Sequence, residues 1–137
     1  MTTIAYREGV LCADTQVTSG TVISGVFEKA VRLPCGGVAA AMGCLEDIFA
    51  FQEWLAERGE RPTLDEGTFC GIYVAPNGQA FEYYNKLVRT PVFSPYWACG
   101  SGNAFALAAM AMGASAEEVA CKLDVYSSGP LTVLRIT

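Results

Sequence analysis

The segments of this chain able to form strands come in groups, not in alternation with helices, and that grouping limits its fold most. Residues 2–6 and 10–14 are short β-rich runs parted by Arg7-Glu8-Gly9, a hairpin pattern. Residues 15–25, rich in Thr, Ser, Val and Gly, read as a short strand and a turn. Residues 29–33 and 38–42 make a further pair around Pro34-Cys35-Gly36-Gly37. Residues 69–75 and 79–84 flank Pro76-Asn77-Gly78, and Asn-Gly between two such runs is the strongest short-range hairpin signal.

Helical periodicity is confined to three places. After Gly43, Leu45, Ile48, Gln52 and Leu55 share one helix face with Phe51 and Trp54 beside it, and the pattern stops near Gly59, ahead of Pro62. Tyr96-Trp97-Ala98-Cys99 and Gly100-Ser101-Gly102 lead into an Ala/Met/Leu helix closed by Gly113. Ser115 with Glu118 is a capping box, which predicts a helix over about residues 116–126, and residues 131–136 close the chain as a strand. Several strands, a helix, two to three strands, two helices and a strand suit an α+β fold with helices outside antiparallel sheets, and do not suit a βαβ repeat. The 137 residues fit one domain, 1–137, with no repeat or linker dividing it, and residues 59–68 read as a loop.

A net charge of −5 and an isoelectric point near 4.6 leave no basic patch for phosphates, so neither nucleic acid nor an anionic membrane surface is expected as a partner. The start has no cationic stretch followed by an apolar core, which predicts a cytoplasmic protein without a secretory signal. The longest uncharged run, 97–116, is interrupted by Gly100-Ser101-Gly102-Asn103, and its apolar part, 104–112, is too short to cross a bilayer. Cys12, Cys35, Cys44, Cys70, Cys99 and Cys121 are scattered with no C-x-x-C pair and read as reduced thiols. The chain has no histidine, which removes Ser-His and Cys-His catalysis and the usual histidine-containing zinc sites, so no metal or cofactor is expected.

An enzyme built from this sequence needs another base, and the start supplies one. Removal of Met1 would give Thr2 a free α-amine beside its hydroxyl. With a reference pKa of about 7.7 to 8.0, that amine can take the hydroxyl proton at neutral pH.

Thr2-Thr3-Ile4-Ala5, then Ala13-Asp14-Thr15-Gln16-Val17-Thr18-Ser19-Gly20, then Lys29-Ala30-Val31-Arg32 resemble the start of a proteasome β-subunit or of the bacterial HslV peptidase. Ala41-Met42-Gly43-Cys44-Leu45-Glu46-Asp47, Gly100-Ser101-Gly102 and Asp124-Val125-Tyr126-Ser127-Ser128-Gly129 continue the resemblance in order across nearly the whole chain. It implies an N-terminal-nucleophile (Ntn) hydrolase: a four-layer αββα sandwich of two antiparallel sheets, with a threonine peptidase site at one end.

By that resemblance Thr2 is nucleophile and base, and Lys29 lowers the pKa values of its amine and hydroxyl. Asp14 keeps Lys29 charged and in place, and Gly43 donates its N–H to the oxyanion. Ser101, Asp124 and Ser127 hydrogen-bond around the threonine amine and its water. Val17, Phe27, Val31, Ala41 and Leu45 line a roomy pocket for a large hydrophobic side chain, while Thr18 and Gly43 pair with the substrate backbone. The same residues also have ordinary roles open to them: Ser101 a helix cap, Asp14 a turn residue, the five apolar ones a core.

The known families carry a second long helix where this chain has only residues 59–68. One helical layer is therefore expected to be reduced, its sheet covered by aromatics, another subunit or both, which favours a homo-oligomer. A peptide or unfolded protein is the implied substrate, and an unfolding ATPase partner is left open. The alternatives are a catalytically inactive assembly or scaffold protein of the same fold, or an Ntn amidase acting on a small amide.

Overall fold

The computed structural model describes residues 3–14, 16–19, 22–26, 28–57, 59–64, 69–100, 103–122 and 131–136, with side chains for all but 14, 16–19, 22–26, 120–122 and 131. In chain order the strands are β1 (Thr3–Arg7), β2 (Val10–Asp14), β3 (Gln16–Ser19), β4 (Val22–Val26), β5 (Ala30–Arg32) and β6 (Val38–Met42). Helix α1 (Leu45–Glu57) follows, then β7 (Cys70–Val74), β8 (Ala80–Tyr83), β9 (Thr90–Pro91) and β10 (Tyr96–Gly100). Helices α2 (Asn103–Ala111) and α3 (Ala116–Lys122) precede β11 (Leu131–Arg135).

Sheet I has the order β10-β1-β2-β11 and sheet II the order β5-β6-β7-β8-β9, antiparallel throughout. The hairpin β1–β2 turns through Glu8 and Gly9 at φ +49° and +81°, the doubly left-handed turn whose twist matches paired strands. At the other predicted hairpin Gly78 has φ +90° and donates to the Ala75 carbonyl (2.8 Å), while Asn77 Oδ1 accepts from Gln79 N (3.0 Å). Residues 16–26 hold two strands, not one: β3 pairs with β4, with an irregular register between Val17 and Thr18.

Successive strand residues face opposite ways, so each sheet has two apolar faces to cover. Ile4, Tyr6, Leu11, Ala13, Trp97 and Cys99 of sheet I meet Ala30, Val38, Ala40, Ile72, Val74 and Ala80 of sheet II in the central core. The intervening residues Ala5, Cys12 and Ala98 point outward and pack under Ala106 and Met110 of α2 and Ala116 and Val119 of α3. On the opposite outer face Ala39, Ala41, Tyr73 and Tyr83 lie with Ile48 and Phe51 of α1. These are the four layers α, β, β and α.

Helix α1 presents a different face from the one its pattern suggests. Ile48 and Phe51 are buried, Trp54 and Leu55 half-buried, but Leu45 is 41 % exposed and Gln52 uses its amide to bind backbone. The described residues between α1 and β7, 59–64 and Phe69, form neither helix nor strand. Aromatic side chains cover the sheet there, as the shortened connection predicts. Phe51 meets Phe69 and Tyr83 edge-on at 5.2 Å between centroids, and Trp54 meets Tyr83 at 5.9 Å. Arg89 lies over Phe81 (4.7 Å) and Tyr73 (5.4 Å), and its Nε donates to the Tyr83 hydroxyl at 2.9 Å. Among the described residues no helix is long and apolar enough to cross a membrane.

Candidate active site

Two contacts between the sheets establish which strand ends meet. Thr132, near the start of β11, donates from Oγ1 to the Glu28 carboxylate just ahead of β5, at 2.9 Å. Cys70, first residue of β7, packs against the central core that holds Cys99 of β10. In sheet I, Leu131 lies opposite Asp14 and Gly100 opposite Thr3; in sheet II, Cys70 lies opposite Met42. The start of β1, the ends of β2 and β10, Lys29, and Met42-Gly43 therefore gather at one end of the sandwich.

Buried polarity concentrates there. Among the described residues the buried polar or charged ones are Thr3 (5 % exposed), Lys29 (4 %) and Asp47 (8 %). Thr3 opens β1, Lys29 precedes β5, and Asp47 lies in the first turn of α1, four residues after Gly43. Removing an ammonium from water costs several kcal/mol, so a buried lysine needs a reason beyond packing. Its backbone is held firmly. The Lys29 carbonyl accepts from Ala41 N (3.2 Å), and the Glu28 carbonyl accepts from Gln52 Nε2 (2.9 Å). With Thr132 on the Glu28 carboxylate, strand β6, helix α1 and strand β11 all fix the segment carrying Lys29. Sequence periodicity misplaces Gln52: its amide serves a backbone carbonyl at this site, and only the position of β5 reveals it.

Gly43 leaves β6 at φ +145°, where a side chain brings strain, and it is exposed at the lip of this end. Cys44 follows and caps α1: its carbonyl accepts from Ile48 N (3.1 Å). The Asp47 N–H on its sulfur lowers the Cys44 pKa, but burial and the Asp47 and Glu46 carboxylates outweigh that and leave it above the ordinary value. An exposed thiol so placed is a poor nucleophile at neutral pH.

Of the residues expected to line a substrate pocket, Ala41 is fully buried and Val31 half-buried in the layer between sheet II and α1, and Leu45 stands exposed at the helix start. Ala41 and Val31 belong to one outer face of sheet II, and Leu45 follows Gly43 by two residues. Asp14, Val17 and Thr18 are placed by backbone alone, as the last residue of β2 and two residues of β3. Thr2, Phe27, Ser101, Asp124 and Ser127 lie outside the described residues. Toward the other end of α1 an open cleft of about 350 Å³ is lined by Trp54, Leu55, Gly59, Tyr73 and Arg89. No sequence signal marks it.

No protein-family model matches the sequence. Among solved structures the chain is similar to the eukaryotic HslV of Trypanosoma brucei, with a TM-score of 0.66 and 22% sequence identity, over 97% of this chain and 99% of that one. Over nearly its whole length the chain therefore has the fold of that HslV, an α+β sandwich of two antiparallel sheets.

Proposed function

We propose that this chain is a threonine peptidase whose nucleophile is Thr2 once Met1 has been removed. The observation that carries the reading is the buried Lys29, held from three sides at the end of the sandwich where β1 begins, one residue after Thr2. A fold kept only for assembly has no use for a buried ammonium at that place.

In this reading the α-amine of Thr2 takes the hydroxyl proton and Oγ attacks the substrate carbonyl. The tetrahedral oxyanion is met by the Gly43 N–H, and the Lys29 ammonium, with Asp14 as counter-charge, stabilises the developing negative charge. The protonated amine gives its proton to the leaving amine, which leaves an ester on Thr2. Water, deprotonated by the same amine, then releases the product and restores the threonine. Ser101, Asp124 and Ser127 hold the amine and that water.

Ala41, Val31 and Leu45, with Val17 and Phe27, favour a large hydrophobic residue before the scissile bond, and Thr18 and Gly43 pair with the peptide backbone. The substrate is a peptide or unfolded protein. Self-association is supported by α2, an uncharged helix that leaves Phe105 58 % and Leu107 37 % exposed, with Met112 just beyond it 90 % exposed.

The test is an intact-mass spectrum before and after a peptide epoxyketone, which needs both the hydroxyl and the free amine of an N-terminal threonine. A chain lighter by Met1 gains one inhibitor, and Thr2→Ala gains none. A chain that lacks Met1, is folded and takes no inhibitor overturns the reading.

A further inference from the structure

Lys29 leads into sheet II, whereas the start of β1, one residue after Thr2, belongs to sheet I. Backbone ladders hold each sheet together, but the spacing between the two is set by side chains. Polar contacts of that kind run along one side of the sandwich. There β11, last in the order β10-β1-β2-β11, packs on β5, first in the order β5-β6-β7-β8-β9. Arg32, last residue of β5, donates from Nη2 to the Arg135 carbonyl at 2.7 Å. Thr132 donates from Oγ1 to the Glu28 carboxylate at 2.9 Å. On the opposite side Trp97 Nε1 of β10 donates to the Glu82 carboxylate of β8 at 2.8 Å.

Three features single out Thr132 and Glu28. The first is place: Glu28 directly precedes Lys29, and Leu131, the residue before Thr132, lies opposite Asp14. The second is direction. Thr132 lies opposite Ala13, whose side chain faces the central core, so Thr132 points at sheet II, as Leu134 does two residues on. Its branched side chain has few rotamers, which fixes where Oγ1 is presented. The third is a double hold. The Glu28 carbonyl accepts from Gln52 Nε2 of α1 (2.9 Å) and its carboxylate from Thr132. Helix α1 lies on sheet II, so of these two holds the Thr132 bond alone refers the segment to sheet I. Glu28 is exposed and Thr132 half-buried, where the net worth of one hydrogen bond to stability is modest. What the bond contributes is position.

We propose, resting on the threonine-peptidase reading above, that Thr132 and Glu28 are positioning residues: their bond sets how far Lys29, on sheet II, stands from the nucleophile, on sheet I. In this role neither meets the substrate, and both act through Lys29. Glu28 passes its position on through one peptide unit, and the Lys29 carbonyl is fixed in turn by Ala41 N (3.2 Å). An ammonium that stabilises a developing oxyanion acts fully only at the right distance, and a misplacement of about 1 Å can cost about a hundredfold in rate. Arg32 supplies the comparison within the molecule. It makes a bond between the same two strands, but at the end of β5 away from Lys29. Arg32 therefore holds the strands together without holding the lysine.

The experiment takes the full chain lacking Met1 and follows adduct formation with a peptide epoxyketone by intact mass over a range of inhibitor concentrations. Thr132→Val, which keeps the branched shape and removes the hydroxyl, should lower the maximal rate about tenfold and leave the half-saturating concentration unchanged. Thr132→Ser, which restores the hydroxyl, should restore the rate. Glu28→Ala should match Thr132→Val, and the double variant should be no slower than either, because all three lack the same bond. Arg32→Met should keep the maximal rate, with urea midpoints recorded for every variant. A folded Thr132→Val chain that reacts at the full rate overturns the proposal, and so does an Arg32→Met chain slowed to the same extent or a Thr132→Ser chain that is not rescued. Should Thr132→Val fail to fold, Glu28→Ala, at an exposed position, decides by the same criterion. An unmutated chain that takes no inhibitor overturns the peptidase reading and the positioning role with it, whereas an unmutated chain that reacts no faster than folded Thr132→Val overturns the positioning role alone.

Discussion

The two outer faces of the sandwich are covered by different means. Sheet I lies under two helices, and the contact is made by small or flexible side chains: Ala5, Cys12 and Ala98 below, Ala106, Met110, Ala116 and Val119 above. Among the described residues sheet II has one helix, and aromatic side chains fill the layer under and beside it: Phe51 and Trp54 from α1, Tyr73, Phe81 and Tyr83 from the strands, and Phe69 ahead of β7, with Arg89 over the rings. Side-chain bulk thus replaces a backbone element. A face closed by helices spreads its stability over many small contacts, whereas one closed by rings places it in a few large residues.

That contrast predicts unequal damage. Phe51→Ala removes a fully buried ring that touches two others and should cost about 3–5 kcal/mol, more than Met110→Ala on the other side, which should fall toward the lower end of about 2–5 kcal/mol, read from urea midpoints. Equal losses would end the distinction. Next comes Gly71→Ala. An added Cβ would sit 2.9 Å from Phe51 Cε2, so overpacking should cost about 1–3 kcal/mol. The same change made in Phe51→Leu should cost clearly less, and an unchanged cost would mean that the ring is not what occupies the space.

Arg89→Met should come third, at about 1–2 kcal/mol, from lost ring contacts and the lost bond to Tyr83. It also has a pH signature. Burial holds the Tyr83 phenol above its ordinary value of 10 and Arg89 draws it back, so the variant's Tyr83 should titrate higher still by ultraviolet absorbance. Burial, with Cys70 and Glu82 next, pushes Tyr84 up to about 12. For an acid whose folded pKa is raised, the unfolded chain ionises first. The stability tied to both tyrosines is therefore complete below about pH 10 and is lost as pH rises through the folded values. The smallest effect belongs to the helical side. Ser115 Oγ accepts from Glu118 N (3.0 Å) and Glu118 Oε1 accepts from Ser115 N (3.2 Å), so Ser115→Ala should lose about 1 kcal/mol and confine its disturbance to α3 by hydrogen exchange.

The parts of this molecule legible in the sequence are those decided locally. Glu8-Gly9, Asn77-Gly78 and the Ser115–Glu118 box are read within four residues, and all three occur as predicted. Strand β9 escapes such a reading because two residues, Thr90 and Pro91, carry no period, and only pairing with β8 defines them. Periodicity misjudges the face of α1 because Leu45 stands at the helix start, beyond its packing against sheet II, where apolar character does not bring burial. At the candidate site Lys29 stands out in the sequence by its distance along the chain from Thr2, yet its burial depends on α1, β6 and β11 arriving around it. The bond from Gln52 to the Glu28 carbonyl depends on α1 reaching the start of β5, which no local pattern encodes.

Sheet II is built from strands in strict sequence order, each paired with the next, so residues 30–91 can zip up through short closures. Sheet I is different. Its β1–β10 and β2–β11 pairings are centred on Ala5↔Ala98 and Cys12↔Val133, partners separated by 93 and 121 residues. Closing loops of that length costs more entropy before any contact repays it. During synthesis, then, the middle of the chain can collapse while the amino-terminal hairpin waits for partners made last. Thr3 gains its β10 neighbour, and Asp14 its β11 neighbour, only when the final strands emerge. The end of the sandwich that gathers Lys29 and the start of β1 is completed last, so a nascent or truncated chain has its scaffold before it has the candidate site.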